Sequence, residues 1–101
     1  MTMMRSHYLY YAVDRAGSLA LRQELREAHR AALRRADRHC RCVLGGPLLD
    51  TAGTMAGTAL VFEAEHGDAV AAFMADDPYV LGGLFETVEI RPWRLGLGAI
   101  A

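Results

Sequence analysis

From residue 7 to 13 the chain reads His-Tyr-Leu-Tyr-Tyr-Ala-Val, an aromatic and branched run without a carboxylate or arginine, and this predicts a first β-strand over 7–13. Residues 14–18 read as a turn, with Ser18 placed to cap a long helix that continues to about residue 38. Leu21, Leu25, Ala28, Ala32 and Ala36 recur at helical spacing, the pattern of an amphipathic helix lying on a sheet. A second strand is predicted over 40–44, broken by Gly45-Gly46-Pro47, and residues 50–57 read as a flexible hairpin loop. Branched, aromatic and small residues alternate over 58–65 as a third strand, and a second helix over 67–75 buries Val70, Phe73 and Met74. Asp77-Pro78 then starts a short helix, because the carboxylate accepts a bond from a free amide and the fixed φ of proline suits the first turn. That helix ends at Gly82-Gly83 and leads into a final strand over 87–95.

The resulting order is βαββαβ: an α+β fold of the ferredoxin-like kind, two split βαβ units forming an antiparallel sheet with its helices on one face. A sheet covered on one side only is expected to alternate apolar and polar positions. The first strand does not. Leu9, Tyr11 and Val13 point one way and Tyr8, Tyr10 and Ala12 the other, while Leu60 and Phe62 oppose Ala59 and Val61 in the third strand. The second face needs a cover, and a second subunit, giving a homodimer or higher oligomer, is the expected one.

Composition narrows the function. At 101 residues the chain is read as a single domain, 1–101, with 52% hydrophobic residues but no apolar run near the roughly 18 needed for a membrane span. Residues 1–11 lack the pattern of a signal peptide, so a cytoplasmic location is expected. The net charge of −1 provides no general attraction to nucleic acid or membrane. All eleven basic residues are arginine, which excludes a Schiff-base or phosphate-loop lysine. Eight of them fall within 15–41, a basic helix read as a solvated face balanced by Glu24 and Glu27. Cys40 and Cys42 point to the same side of a strand without disulfide geometry and read as reduced. His39-Cys40-x-Cys42 lacks the four ligands that zinc requires, so no metal is expected. No nucleophile elbow, phosphate loop or dinucleotide fingerprint occurs, and no cofactor is expected.

Two polar clusters remain. Arg22, Arg26 and His29 are spaced i, i+4, i+7 and form one stripe on the long helix, expected at the boundary between core and solvent. Histidine is the side chain suited to acid–base work near neutral pH, and guanidinium groups beside it hold a carboxylate or enolate oxygen. The plain alternative is a boundary histidine resting against Leu25 and Leu33. Asp77 at the other cluster is fully explained as a helix cap, and Tyr79 as packing; Asp76 and Asp14 are the other possible partners of His29.

Arg26-Glu27-Ala28-His29, Leu44-Gly45-Gly46-Pro47-Leu48, Asp77-Pro78-Tyr79 and the closing Val88-Glu89-Ile90-Arg91-Pro92-Trp93 together resemble the YciI-like (YCII-related) family, in order and over nearly the whole chain. The resemblance implies a ferredoxin-like fold of the dimeric α/β-barrel superfamily and a His–Asp pair in a pocket between helix and sheet. Carried over, the pair falls on His29 and Asp77 as catalytic residues and the helix arginine on Arg26; Arg22, from the same stripe, and Tyr79 of the Asp-Pro-Tyr motif join Arg26 as expected substrate-binding residues. Glu27 departs from the proline often found in this motif. The expected activity is that of a small cofactor-free lyase or isomerase that moves a proton on a small oxygenated cyclic or aromatic substrate, walled by Tyr8, Tyr10, Phe62 and Trp93. The alternatives are a non-catalytic dimeric module that binds a small acidic ligand or a partner enzyme, and a cofactor-free monooxygenase.

Overall fold

Tyr10 and Ala12 on one strand face Leu60 and Thr58 on another, all of them almost wholly excluded from water, and this buried row sets the centre of the sheet. The computed structural model describes residues 5–35 and 37–100. Along the chain run β1 (Ser6–Asp14), α1 (Leu19–Leu33), β2 (Cys40–Leu49), β3 (Met55–Ala64), α2 (Gly67–Met74), α3 (Pro78–Leu81) and β4 (Phe85–Trp93). The strands lie in the order β2-β3-β1-β4, with every neighbouring pair antiparallel. This is the ferredoxin-like α+β arrangement that the element order predicts. The two prolines of the sheet, Pro47 and Pro92, fall on the edge strands β2 and β4, where a missing ladder amide is tolerated.

The sheet face beneath the helices carries Tyr10, Ala12, Leu60, Phe62 and Ala64, against which Val70, Phe73 and Met74 of α2 and Tyr79 of α3 pack. The Phe62 and Phe73 rings meet edge to face at 5.3 Å, a geometry that aromatic quadrupoles favour. Asp50 closes the β2–β3 hairpin, its Oδ1 accepting from the amides of Ala52 and Thr54 at 2.9 and 3.0 Å. Among the described residues no helix is long and apolar enough to cross a membrane.

The structure corrects several expectations. Gly45-Gly46-Pro47 does not break β2, which continues to Leu49 paired to β3; an edge strand can absorb glycine and proline, and a bulge between Cys42 and Leu44 re-registers it. α1 ends at Leu33 rather than near residue 38, since the chain must turn back for Cys40 to pair with Ala64. Ala36, counted in the apolar row, lies outside the described residues. The helix is also rotated from its predicted setting: Ala28 is exposed, while Arg22 and His29 are buried. Ser18 stands at the N-cap without a side-chain cap bond.

The outer sheet face is apolar at its centre, as the two-sided pattern of β1 predicts. Tyr11 remains 39% exposed and Leu44 49% exposed there, among charged neighbours such as Arg41, Glu63, Glu89 and Arg91.

The core also sets an alkaline limit. Burial, reinforced by the Asp77 charge, pushes the Tyr10 phenol up to about 12, so the folded state favours the neutral phenol over a phenolate. Its contribution is whole below the ordinary tyrosine value near 10 and is lost as pH rises toward about 12. Urea denaturation at pH 9 and pH 11 is expected to show a smaller alkaline loss of stability in Tyr10→Phe than in the wild type.

Candidate active site

The short helix α3 is built around one carboxylate. Asp77 sits at its N-cap in extended conformation, with Oδ2 accepting from the Tyr79 amide at 3.0 Å and Pro78 supplying the first helical residue. At the far end the Leu84 amide donates to Tyr79 and that of Gly83 to Val80; Gly83, at φ +71°, makes this Schellman closure with no Cβ penalty. Held at both ends, α3 presents Asp77 to α1. There the Nδ1 of His29 approaches both carboxylate oxygens, at 2.8 and 2.9 Å.

Asp77 is 0% exposed and His29 6%. A carboxylate only accepts, so Nδ1 carries a proton and donates, and Nε2 is the ring nitrogen that Asp77 leaves unengaged. Nε2 has no protein partner among the described residues, and no buried side-chain nitrogen or oxygen there lacks one, so Nε2 reaches the cavity that His29 lines. The Tyr79 ring stacks on the imidazole, centroids 3.9 Å apart and planes 17° from parallel, which fixes the ring's tilt as Asp77 fixes its rotation. The departure at Glu27 has no visible effect on the aim, as α1 is one uninterrupted helix through Glu27 and His29 reaches Asp77.

Asp14, at the end of β1, pairs instead with Arg22. Its carboxylate receives Nε at 2.7 Å and Nη2 at 2.8 Å, and Nη2 also donates to Thr58 at 2.7 Å. Burial works against the Arg22 charge, but the hydrogen bond and attraction of Asp14 outweigh it and leave the guanidinium raised above its ordinary value. Of the three aspartates left open by the sequence, Asp77 meets the histidine, Asp14 meets the arginine, and Asp76 is exposed.

His29, Arg22 and Tyr79 border a cavity of about 370 Å³ between α1 and the β2 edge of the sheet. Its inner part is formed by His29, Tyr79, Thr58 and Leu60, and its rim by Gly45-Gly46-Pro47 and the arginines of α1. Gly45 leaves room for Leu60: a Cβ there would run into the end of the Leu60 side chain, which would have to shift, and would stand 3.0 Å from the Ala59 carbonyl. Cys42 also lines the cavity, and burial pushes its thiol up to about 11, so it is no nucleophile near neutral pH. The Tyr79 phenol is raised too, by burial, against the lowering pull of Arg22 and Arg26, and it remains a hydrogen-bond donor.

Arg22, Arg26, His29 and Tyr79 thus come together at one cavity. Arg30 and Arg34 line it as well and were missed, although the four-residue recurrence 22, 26, 30, 34 was visible. The expected walls are absent from this cavity. Tyr10 and Phe62 belong to the core, Tyr8 lies near Gly67, and Trp93 pairs with His7 across the outer side of the sheet.

The fold and this site define a ferredoxin-like α+β domain, of the dimeric α/β-barrel kind, that holds a buried histidine–aspartate pair at a helix–sheet cavity. The chain belongs to the YCII-related (YciI-like) family, whose domain matches residues 6–94. It is 33% identical over 93 residues to the protein YciI of Escherichia coli O6:H1 and likewise to that of Shigella flexneri, with 86% of this chain and 95% of each relative covered. Among solved structures it is similar to a 5-chloro-2-hydroxyhydroquinone dehydrochlorinase from Burkholderia phenoliruptrix AC1100, in complex with 2,5-dihydroxybenzoquinone. That similarity has a TM-score of 0.78 and 34% identity, and covers 89% of this chain and 95% of the enzyme. A Pseudomonas aeruginosa protein shares the fold at 14% identity, with a TM-score of 0.57 over 95% of this chain and the whole of that one.

Asp77 has two structural duties, and they separate by substitution. Asp77→Ala removes the cap and strands the buried imidazole, for an expected loss of about 2–4 kcal/mol; Asp77→Asn keeps an N-cap acceptor and is expected to lose less than half as much. Urea denaturation of the three proteins at neutral pH measures the difference.

Proposed function

We propose that the protein is a small-molecule lyase or isomerase in which His29 and Asp77 act as an acid–base pair on a small hydroxylated aromatic or quinoid ring. The observation that carries this reading is the single hydrogen-bonded ring: Nδ1 held by Asp77 at 2.8 Å and Nε2 left to the cavity. The similarity to a dehydrochlorinase bound to a dihydroxyquinone supports the substrate class.

In this reading Nε2 removes a ring-hydroxyl proton, and the imidazolium returns it to a ring carbon, which becomes tetrahedral. Asp77 stabilises the transient positive charge on the imidazole, as a carboxylate partner does in other acid–base pairs. Where the tetrahedral carbon bears a halide, loss of a second hydroxyl proton expels it with the C–X electron pair. One HX leaves, the ring becomes a quinone, and no external oxidant is needed. Without a leaving group the same proton transfer is an isomerisation. Arg26 faces the oxyanion that develops when the hydroxyl is deprotonated, where a donor aimed at new charge is most effective. Arg22 contributes less directly, since its guanidinium is already engaged by Asp14 and Thr58. Tyr79 packs beneath the imidazole and offers its phenol to the ligand.

Turnover of chlorinated hydroxyhydroquinones, followed by chloride release and quinone absorbance, is expected to fall about 10²–10⁴-fold in His29→Ala, the range for a lost general base, with Asp77→Asn reducing kcat more than it changes KM. The alternative, a module that binds a small acidic ligand without turnover, draws on the same arginines. Binding of these rings by the wild type without chloride release would favour it, whereas equal turnover in the wild type and His29→Ala would remove His29 from the mechanism.

A second copy of the chain is proposed as the cover of the apolar outer face around Tyr11. Sedimentation velocity is expected to show a dimer for the wild type and a monomer for Tyr11→Arg; a monomeric wild type would reject this cover.

A further inference from the structure

We propose that the ligand of this cavity carries a second oxyanion, a carboxylate or phosphate remote from the reacting hydroxyl, and that Arg30 and Arg34 select for it. This deepens the acid–base reading above and rests on it for the placement of the ring.

The inference begins with the charges of the cavity. Arg22 is neutralised by the Asp14 carboxylate, which lies at 2.7 Å, while Asp77 lies behind the His29 ring, its oxygens taken by Nδ1 and the Tyr79 amide, and does not line the cavity. Arg26, Arg30 and Arg34 remain, and no aspartate or glutamate stands among the residues lining the cavity. Among the described residues Arg26 and Arg34 make no ion pair. Arg30 has only Glu27, at 3.7 Å and 83% exposed, a contact that solvent largely screens. The net charge of the whole chain is −1, so this concentration of positive charge is local to the cavity.

Position along α1 turns charge into selectivity. At about 1.5 Å rise per residue, Arg26 lies roughly 4.5 Å from His29 toward the N-terminus, and Arg34 roughly 7.5 Å from it toward the C-terminus. The imidazole therefore lies between two cationic stations. A single phenolate at the reacting carbon engages the one at Arg26. The other, at the exposed rim, suits a substituent on the far side of the ring. Helix stabilisation alone explains a cation in the last turn, and Arg30 fits that role. It does not account for three guanidinium groups along a cavity wall that carries no carboxylate.

The test is equilibrium binding by calorimetry, which needs no turnover and is therefore separate from the role of His29. Hydroquinone, 2,5-dihydroxybenzoate and 4-hydroxyphenyl phosphate are titrated into the full-length wild type, Arg30→Gln/Arg34→Gln and Arg34→Glu. Glutamine preserves helix propensity at these exposed positions. At low salt the wild type is expected to prefer at least one of the two anionic rings over hydroquinone by roughly tenfold or more, the scale of a charge-assisted hydrogen bond. The double variant is expected to reduce that preference to within about threefold without weakening hydroquinone, and Arg34→Glu to reduce it further. Whichever anionic ring binds more tightly identifies the oxyanion. Equal affinity of the wild type for all three rings, no binding of any, or a preference that survives in both variants would overturn the assignment. Loss of turnover in His29→Ala, in contrast, reports on the acid–base reading alone.

Discussion

A carboxylate wholly removed from water needs donors for its oxygens, and Asp77 has two of them: the Tyr79 amide and the imidazole of His29. The rest of the site follows from this one arrangement. The amide fixes α3 by its N-cap, and the imidazole ties α3 to α1 across 48 residues of chain. A histidine that would otherwise be a partly exposed helix residue becomes a ring of defined tautomer and aim. The Schellman closure at Gly83 and the stacked Tyr79 ring act on the same assembly, so the strength of the contact does not depend on a flexible loop.

The second buried pair performs a different task. Arg22 and Asp14, with Thr58, tie the start of α1 to the end of β1 and to the middle of β3. Two buried, hydrogen-bonded polar pairs at neighbouring points along one helix fix both its rotation and its position on the sheet. Buried pairs of this kind are weak arguments for net stability but strong ones for a unique arrangement of the elements, since a slipped helix would leave four polar groups unsatisfied. They also sort the arginines. One is engaged in structure, and those farther along α1 remain available to the cavity.

The family relationship and the geometry bear on different questions. The similarity to a dehydrochlorinase covers most of both chains and supports the small-molecule reading proposed above. The geometry gives the hydrogen-bonded histidine ring and the arginines that line the same cavity. The cavity lies at the sheet edge beside the apolar outer face, and Leu44 belongs both to the cavity lining and to that exposed face.

The order of elements, the Asp-Pro start of α3, its glycine stop and the doubly apolar central strands were all legible along the chain, because each depends on neighbours a few residues away: a cap on the next two amides, a strand on alternation, a turn on a glycine. The rotation of α1 was not. Ala28 and His29 are adjacent and both compatible with either face, and burial of Arg22 and His29 is possible only because Asp14, Thr58 and Asp77 arrive from other elements to satisfy them. The continuation of β2 through Gly45-Gly46-Pro47 was hidden for a related reason: residues that end an isolated strand are tolerated at an edge when a paired neighbour supplies the ladder. Local chemistry in the sequence therefore determined the elements and the candidate residues. Which aspartate met which cation, and which side of the helix faced inward, was decided only in the tertiary structure, where a buried charge must find its counterpart at a distance that no local pattern encodes.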